Sequence, residues 1–98
     1  MVTGGYFGYR RKDIKMDEMT EFERFIKRYE IFAKRLKTKR EEKHLTIVEL
    51  ADLSALTPAS IRQYEACACL PTSVNLCLLC DVLETTPDYL LGYVREPF

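Results

Sequence analysis

Four cysteines lie within fourteen residues of this chain, and they are the first residues whose chemistry needs an explanation. One residue separates Cys67 from Cys69, and two separate Cys77 from Cys80, which is a spacing that zinc ligands use. A second interpretation is a reactive thiol at Cys67 or Cys69. A third is packing, because free cysteine behaves as a small hydrophobe and Cys77 and Cys80 share one helical turn. The four cysteines lie too close together in the sequence to cross-link the rest of the chain, so we expect reduced thiols. We also expect no metal and no cofactor.

Catalytic chemistry has little support in the sequence. His44 is the only histidine, and no nucleophile with an adjacent base and no glycine-rich phosphate loop can be found. His44 stands where a helix must stop before Leu45, and histidine is enriched at positive φ. We therefore interpret His44 as a helix terminator and the chain as a protein without enzymatic activity.

Composition limits the remaining classes. Ninety-eight residues, 47% hydrophobic and 31% charged, suit one folded domain. No apolar run reaches the roughly 18–20 residues that span a bilayer, and the N-terminus lacks a signal-peptide pattern, so we expect a cytoplasmic protein without membrane contact. Net charge is zero, which disfavours nonspecific coating of nucleic acid. Residues 33–66 nevertheless carry seven Lys/Arg against five acids, so any DNA-facing surface lies there.

The elements that would position such a surface begin after residue 19. We predict a flexible arm over residues 1–19, in which a basic run could enter a minor groove. Thr20 and Glu23 form a capping box, which opens a helix. A helical extension over residues 20–30 follows, with apolar residues at i, i+3, i+4 and i+7. Its exposed stripe is a candidate dimer surface, and packing against the chain's own domain is the alternative; the stripe consists of Phe22, Phe25, Ile26 and Tyr29.

Four further helices are predicted from capping signals. Thr46 and Glu49 form a second capping box, which opens a helix to about Leu53 with Leu50, Ala51 and Leu53 available for packing. A turn at Ser54-Ala55-Leu56 precedes Thr57-Pro58, which opens a third helix. Thr72 or Ser73 caps a fourth, with Cys80 among its apolar positions, and Thr86-Pro87 opens a short fifth that stops at Gly92. The predicted fold is all-α, with no strand-period segment.

Residues 31–92 resemble the phage repressor and Cro-type helix-turn-helix family, and we assign residues 93–98 to a C-terminal tail. The matching residues are RLKTKREEKHLT, VELADLSALTPASIRQYE and LPTSVNLCLLCDVLETTPDYLLG. Ala51 and Ile61 fill the family's small and β-branched contact positions, since two helices joined by a short turn cross closely only at a small residue. The resemblance implies a five-helix repressor-like DNA-binding domain with an extended N-terminal helix. It also implies a structural ion pair between Arg40 and Glu65.

The resemblance further implies which residues meet DNA. The third helix would lie in the major groove of double-stranded DNA, with its first residues at base edges. Pro58, Ala59 and Gln63 would face bases, and Ser60 and Arg62 would face bases or flanking phosphates. Glutamine can pair with adenine and arginine with guanine. The threonines that cap the second and third helices would meet phosphates; these are Thr46 and Thr57.

Several positions depart from the family pattern. Ile47 replaces the usual glutamine after the capping threonine, and Pro58 replaces a polar reading residue. Ala55 stands where glycine is common, which costs roughly 1 kcal/mol if φ is positive. The loop over 66–69 carries no charge, whereas relatives have glycine and basic residues there. These departures reduce the expected strength of DNA binding.

Two functions remain in competition. The first is a sequence-specific transcriptional repressor that acts as a homodimer by occupying an operator. The second is a protein-interaction module, such as an anti-repressor or an antitoxin, that keeps the fold, binds DNA weakly and holds a protein partner through the N-terminal helix. Ile47, Pro58 and the uncharged loop favour the second; Arg62 and Gln63 favour the first.

Overall fold

The computed structural model describes residues 18–95 as five α-helices, with no β-strand in that range. The helices are α1 (Glu21–Glu42), α2 (Ile47–Ser54), α3 (Pro58–Glu65), α4 (Ser73–Leu83) and α5 (Pro87–Leu91). The predicted all-α, five-helix class is confirmed. The predicted arm over 1–19, apart from its last two residues, and the end of the predicted tail, 96–98, lie outside the described residues.

Threonine begins every helix within residues 18–95. In each case the threonine side chain accepts a hydrogen bond from the backbone amide three residues later, which satisfies one of the donors that a helix start leaves open. At α1 and α2 a glutamate completes a capping box by accepting from the threonine amide. The helix caps predicted from the sequence are therefore confirmed. Of the two candidates for α4, Thr72 and Ser73, the cap is Thr72. The five capping residues are Thr20, Thr46, Thr57, Thr72 and Thr86.

Left-handed residues end the helices or the turns that follow them. His44 has φ 58°, as predicted, and Ala55 has φ 60°. Glu84 and Gly92 end α4 and α5 in the same region. Gly92 is also required by space, because a Cβ there would come within 2.9 Å of the Ile31 side chain. Across two of these short connections, α2 packs against α3 and α4 packs against α5.

One core lies between the helices. It is made by the second half of α1 together with the inner faces of the other four, and its fully buried large side chains are Phe32, Leu36, Leu50, Ile61, Leu79, Leu83 and Leu90. One prediction of burial was wrong. Leu53 is 62% exposed, because the inner face of α2 is made by Leu50, Ala51 and Ser54. The buried Ser54 hydroxyl donates to the Leu50 carbonyl oxygen at 2.6 Å. Cys77 is exposed, whereas Cys80 one turn later is buried.

Two arginines of α1 hold the C-terminal segment. Arg28 donates to the Leu91 carbonyl oxygen at 2.6 Å. Arg35 donates to the carbonyl oxygens of Tyr89 and Val94 at 2.6 and 2.7 Å. Positive side chains at the C-terminal end of a helix stabilise its unpaired carbonyl groups. These bonds fix α5 against α1 and place the end of the helical body beside the middle of α1.

Candidate nucleic-acid interface

The helix-turn-helix unit consists of α2, a short turn and α3. Ala51 of α2 and Ile61 of α3 are both fully buried in the common core. The turn is closed by the Leu56 amide, which donates to the Ala51 carbonyl oxygen at 2.9 Å. Ala55 in this turn adopts the left-handed conformation without glycine's freedom, which is a local strain. A small residue at position 51 is what lets the two helices approach.

An ion pair fixes the far end of α3. Arg40 donates to both carboxylate oxygens of Glu65, at 2.7 and 3.1 Å, and its remaining terminal nitrogen donates to the Leu45 carbonyl oxygen at 2.8 Å. The two side chains are only 11% and 10% exposed. The hydrogen bond that Arg40 donates to Glu65 raises the pKa of Arg40, against the opposing effect of burial. This pair, the one named from the sequence, joins α1, the loop before α2 and the last residue of α3.

The outward face of α3 carries the side chains named as base readers. Ala59, Arg62 and Gln63 are exposed and lie on one face at i, i+3 and i+4, while Pro58 and Ser60 are half-buried. Ser60 is engaged at the helix start, because its amide and hydroxyl both bond the Thr57 hydroxyl. The exposed row therefore offers one cation, one amide and one methyl group to a partner.

The starts of α2 and α3 differ in what they offer an anion. At α2 the amides of Ile47 and Val48 occupy the first turn, where a helix has no acceptors of its own. The Glu49 carboxylate, held at 2.8 Å from the Thr46 amide, adds negative charge beside them. At α3, Pro58 occupies the first position and has no N–H to donate. Thr46 and Thr57 are exposed, but each hydroxyl already accepts an amide of its own helix.

The loop after α3 holds two of the four thiols. Cys67 has φ 64°, a conformation that favours glycine, so the glycine expected there from the resemblance was a signal of this geometry. The Cys69 thiol lies 3.9 Å from the side-chain oxygen of Gln63, a contact that sequence reasoning missed. Cys80 is distinct in its chemistry, since burial raises its pKa to about 11. Within residues 18–95, no cluster of three or more His, Cys, Asp or Glu could hold a metal ion.

A second structural contact missed from the sequence supports α3 from the side of α4. The Asn75 side-chain amide donates to the Tyr64 hydroxyl at 3.2 Å, and Tyr64 packs edge-on against Phe32 with ring centres 5.9 Å apart. Tyrosine at a buried position needs such a polar partner, which is the signal that could have pointed to Asn75. α3 is thus held at both ends and on its inner side.

This arrangement defines a class: a recognition helix with an exposed polar row, packed on a preceding helix through a small residue. The chain matches the model of the Helix-turn-helix family over residues 36–90, more than half of its length, and it belongs to that family. This is the phage repressor and Cro-type family expected from the sequence, and its domain binds double-stranded DNA. No curated protein and no solved structure matches the chain. None of the helices in residues 18–95 is long and apolar enough to cross a membrane.

Proposed function

We propose that this protein is a transcriptional repressor without enzymatic activity, which binds a specific operator as a homodimer and blocks access of RNA polymerase. The proposal places it in the cytoplasm with the DNA. Two half-sites one helical turn apart multiply the specificity that one short helix can supply. The proposal depends on α3, which enters the major groove.

One observation carries the proposal. Ala59, Arg62 and Gln63 form an exposed row on a helix whose C-terminal end is tied down by the two-bond pair of Arg40 and Glu65. A reading helix must be held rigidly, because a shift of a fraction of an ångström misaligns hydrogen bonds to base edges. Exposure of the row and rigidity of its support are both required, and they occur on the same helix.

The chemistry of the row suggests what each residue reads. Gln63 can pair with adenine and Arg62 with guanine, and Ala59 can touch a thymine methyl group; each good bidentate pair discriminates by about 1–3 kcal/mol. Pro58 adds an apolar contact, and Ser60 is restricted by its bonds to Thr57. The amides at the start of α2, next to Thr46, are suited to a phosphate.

The electrostatics favour a binder of moderate affinity. Arg62 is the only basic residue in the stretch from Thr46 to Cys80, which also contains Glu49, Asp52 and Glu65. Because phosphate contacts dominate affinity for DNA, the sequence-independent part of binding should be small. Specificity then depends on base contacts more than in strongly basic relatives.

The test is a titration of the purified full-length protein against genomic fragments, including its own upstream region, at two salt concentrations. Selective binding that weakens with salt and is lost in Arg62→Ala and Gln63→Ala supports the proposal. Arg95→Ala is the matched control, because it removes one exposed positive charge beyond α5 and should leave selectivity intact. Binding that is absent, or indifferent to sequence and to both α3 variants, contradicts the proposal.

A second candidate is an interaction module, an anti-repressor or antitoxin that keeps the fold and binds DNA weakly. What supports it is the apolar surface of α1, where Phe22 and Phe25 are 71% and 54% exposed, together with Pro58 and the uncharged loop over 66–69. The same titration separates the two, since this candidate predicts weak binding that the α3 variants do not change.

A further inference from the structure

The first two turns of α1 carry an exposed apolar face. Phe22, Phe25 and Ile26 are 71%, 54% and 39% exposed, and Tyr29 packs against Phe25 with ring centres 4.9 Å apart. Single exposed apolar residues are ordinary on a protein surface, but a contiguous group marks an interaction site. We call these four residues the α1 face.

A groove lies between the α1 face and the loop that follows α3. Its volume is about 290 Å³, and it is lined by Phe25, Ile26, Tyr29, Glu30 and Cys67. Four of these side chains are apolar or weakly polar, and the fifth is a carboxylate. A groove of this lining suits aromatic side chains with a positive charge beside them.

The segment that precedes α1 has this composition. Residues 1–17 come before the described part of the chain. They include Tyr6, Phe7 and Tyr9, which Arg10-Arg11-Lys12 follow directly, and residues 1–12 contain no acid. The segment thus offers three aromatic rings and then three cations.

The segment is long enough to reach the groove. Nine residues, 10–18, separate Tyr9 from Met19, and an extended chain of that length spans about 30 Å at roughly 3.3 Å per residue. Glu30, the far end of the groove, lies ten residues after the cap Thr20, or about 15 Å along α1 at 1.5 Å per residue. The aromatic residues can therefore turn back along α1 and enter the groove.

The edge of α1 beside the groove is acidic. Glu23 and Glu30 lie two turns apart next to Ile26, whereas Arg24 and Lys27 lie on the other side of the helix. Lys27 approaches Glu30 only to 3.8 Å, and both side chains are well exposed, so this pair is weak and leaves the Glu30 carboxylate able to bind a second cation. The basic residues of the segment complement this edge.

We propose that the groove is the docking site of the chain's own N-terminal segment, with the aromatic cluster of residues 6–9 beside Ile26 and Cys67 and the basic run along Glu23 and Glu30. A segment joined to α1 by nine residues acts at an effective concentration on the order of millimolar. A second chain at micromolar concentration is a much weaker competitor for the same contact.

The inference goes beyond the proposed function, because it concerns access to the α1 face. Any partner that uses this face, whether a second copy or another protein, must first displace the N-terminal segment. Cys67 follows α3 by two residues, so the docked segment also covers the thiol of the loop after the recognition helix. That thiol reports on docking.

The first test is the rate at which iodoacetamide alkylates Cys67 in the full-length protein, without DNA, at about 1 and about 100 µM. The triple variant Tyr6→Ser, Phe7→Ser, Tyr9→Ser should raise this rate at least about fivefold, because the segment then leaves the thiol uncovered. The wild-type rate should be equal at both concentrations, since the contact lies within one chain. Cys77, exposed on α4, is the internal control, and its rate should not change.

The second test changes the groove and measures the segment. Trypsin cleavage after the three basic residues, followed by mass spectrometry, should accelerate at least about fivefold in Phe25→Ser and in Glu30→Lys, because cleavage follows the undocked population. Val74→Ser and Asp81→Lys are the matched controls, since they make the same kinds of change at exposed positions of α4. Both should be cleaved like the wild type. Circular dichroism shows whether each variant is folded.

Three outcomes overturn the proposal. The first is a Cys67 rate that the triple variant leaves unchanged, and the second is cleavage that neither groove variant accelerates. The third is protection of Cys67 that grows with protein concentration, which assigns the groove to a second copy. None of these measurements involves DNA, so the repressor proposal is tested separately by its titration with the α3 variants.

Discussion

Arg40 and Glu65 join the end of α1 to the last residue of α3 through two parallel hydrogen bonds at 2.7 and 3.1 Å. Both side chains are almost entirely covered. A bidentate pair of this kind fixes direction as well as distance, since the guanidinium and carboxylate planes must align. The orientation of the recognition helix is thus determined by a residue 25 positions earlier in the chain.

Removing one partner of this pair leaves the other as an uncompensated charge. We predict that Arg40→Ala or Glu65→Ala lowers the free energy of unfolding by about 3 kcal/mol or more. Arg40→Met combined with Glu65→Leu should recover most of that loss, because two apolar side chains of similar size avoid the desolvation cost. Urea denaturation of the wild type, the two single alanine variants and the Arg40→Met, Glu65→Leu double variant measures these differences. If the single variants unfold with the same free energy as the wild type, the ion pair does not stabilise the fold and the prediction is wrong.

The turn before α3 holds an alanine at φ 60°. We predict that Ala55→Gly raises the free energy of unfolding by up to about 1 kcal/mol, since glycine adopts this conformation without strain, partly offset by its greater freedom in the unfolded chain. Ala66→Gly is the control: its φ is −91°, so only the unfavourable entropy remains. Thermal unfolding monitored by circular dichroism should move the two variants in opposite directions.

Ala51 has no room for a larger side chain. It is fully buried beside the core residues of α2 and α3, so we predict that Ala51→Leu destabilises the fold by about 1–3 kcal/mol. The same substitution at the exposed Ala59 should change stability by less than about 0.5 kcal/mol. Chemical denaturation of both variants tests this, and equal effects would contradict the assigned packing.

Arg62 can act on a base or on a phosphate, and salt dependence separates the two roles. If it contacts phosphate, Arg62→Ala reduces the slope of log K against log salt by about one and weakens all sequences alike. We predict the other outcome: an unchanged slope with relaxed preference at one operator position, because Arg62 shares the exposed face of Gln63. Binding titrations against single-base variants of the operator measure both quantities.

Cys80 links stability to pH. Burial and the nearby Cys77 and Asp81 raise the pKa of Cys80 from 9.0 to about 11, so the folded state favours the neutral thiol. That contribution is fully present below the unfolded pKa and is lost as pH rises from about 9 to about 11. Cys80→Ala should therefore show a weaker decline over this window than the wild type, by urea denaturation at each pH. Parallel declines would contradict the prediction.

Local signals made most of the fold predictable. A threonine cap acts within three residues, so Thr20, Thr46, Thr57 and Thr86 could be recognised from the chain alone. His44 was recognisable as a terminator for the same reason. The family pattern added the pairing of Arg40 with Glu65, which no local rule supplies.

Failures occurred where burial depends on a neighbour distant in sequence. The apolar spacing of α2 and α4 does not say which apolar residues lie at the edge of the core, so Leu53 was misjudged and the exposure of Cys77 could not be decided. The contact between the Cys69 thiol and the Gln63 side chain depends on the path of the loop that follows α3. The base-reading roles of the α3 residues stay predictions.

The 22 residues of α1 form one uninterrupted helix, about 33 Å long at 1.5 Å per residue, and its two halves face different surroundings. Because the helix is continuous, the number of residues between the two halves determines the rotation of one half relative to the other about the helix axis. One residue inserted between Tyr29 and Phe32 would turn the exposed side chains of Phe22, Phe25 and Ile26 by about 100° relative to the core. Seven inserted residues, about two turns, would nearly restore their direction. The direction of the exposed apolar side chains therefore depends on how many residues separate them from the buried half of α1, and whole helical turns leave it unchanged.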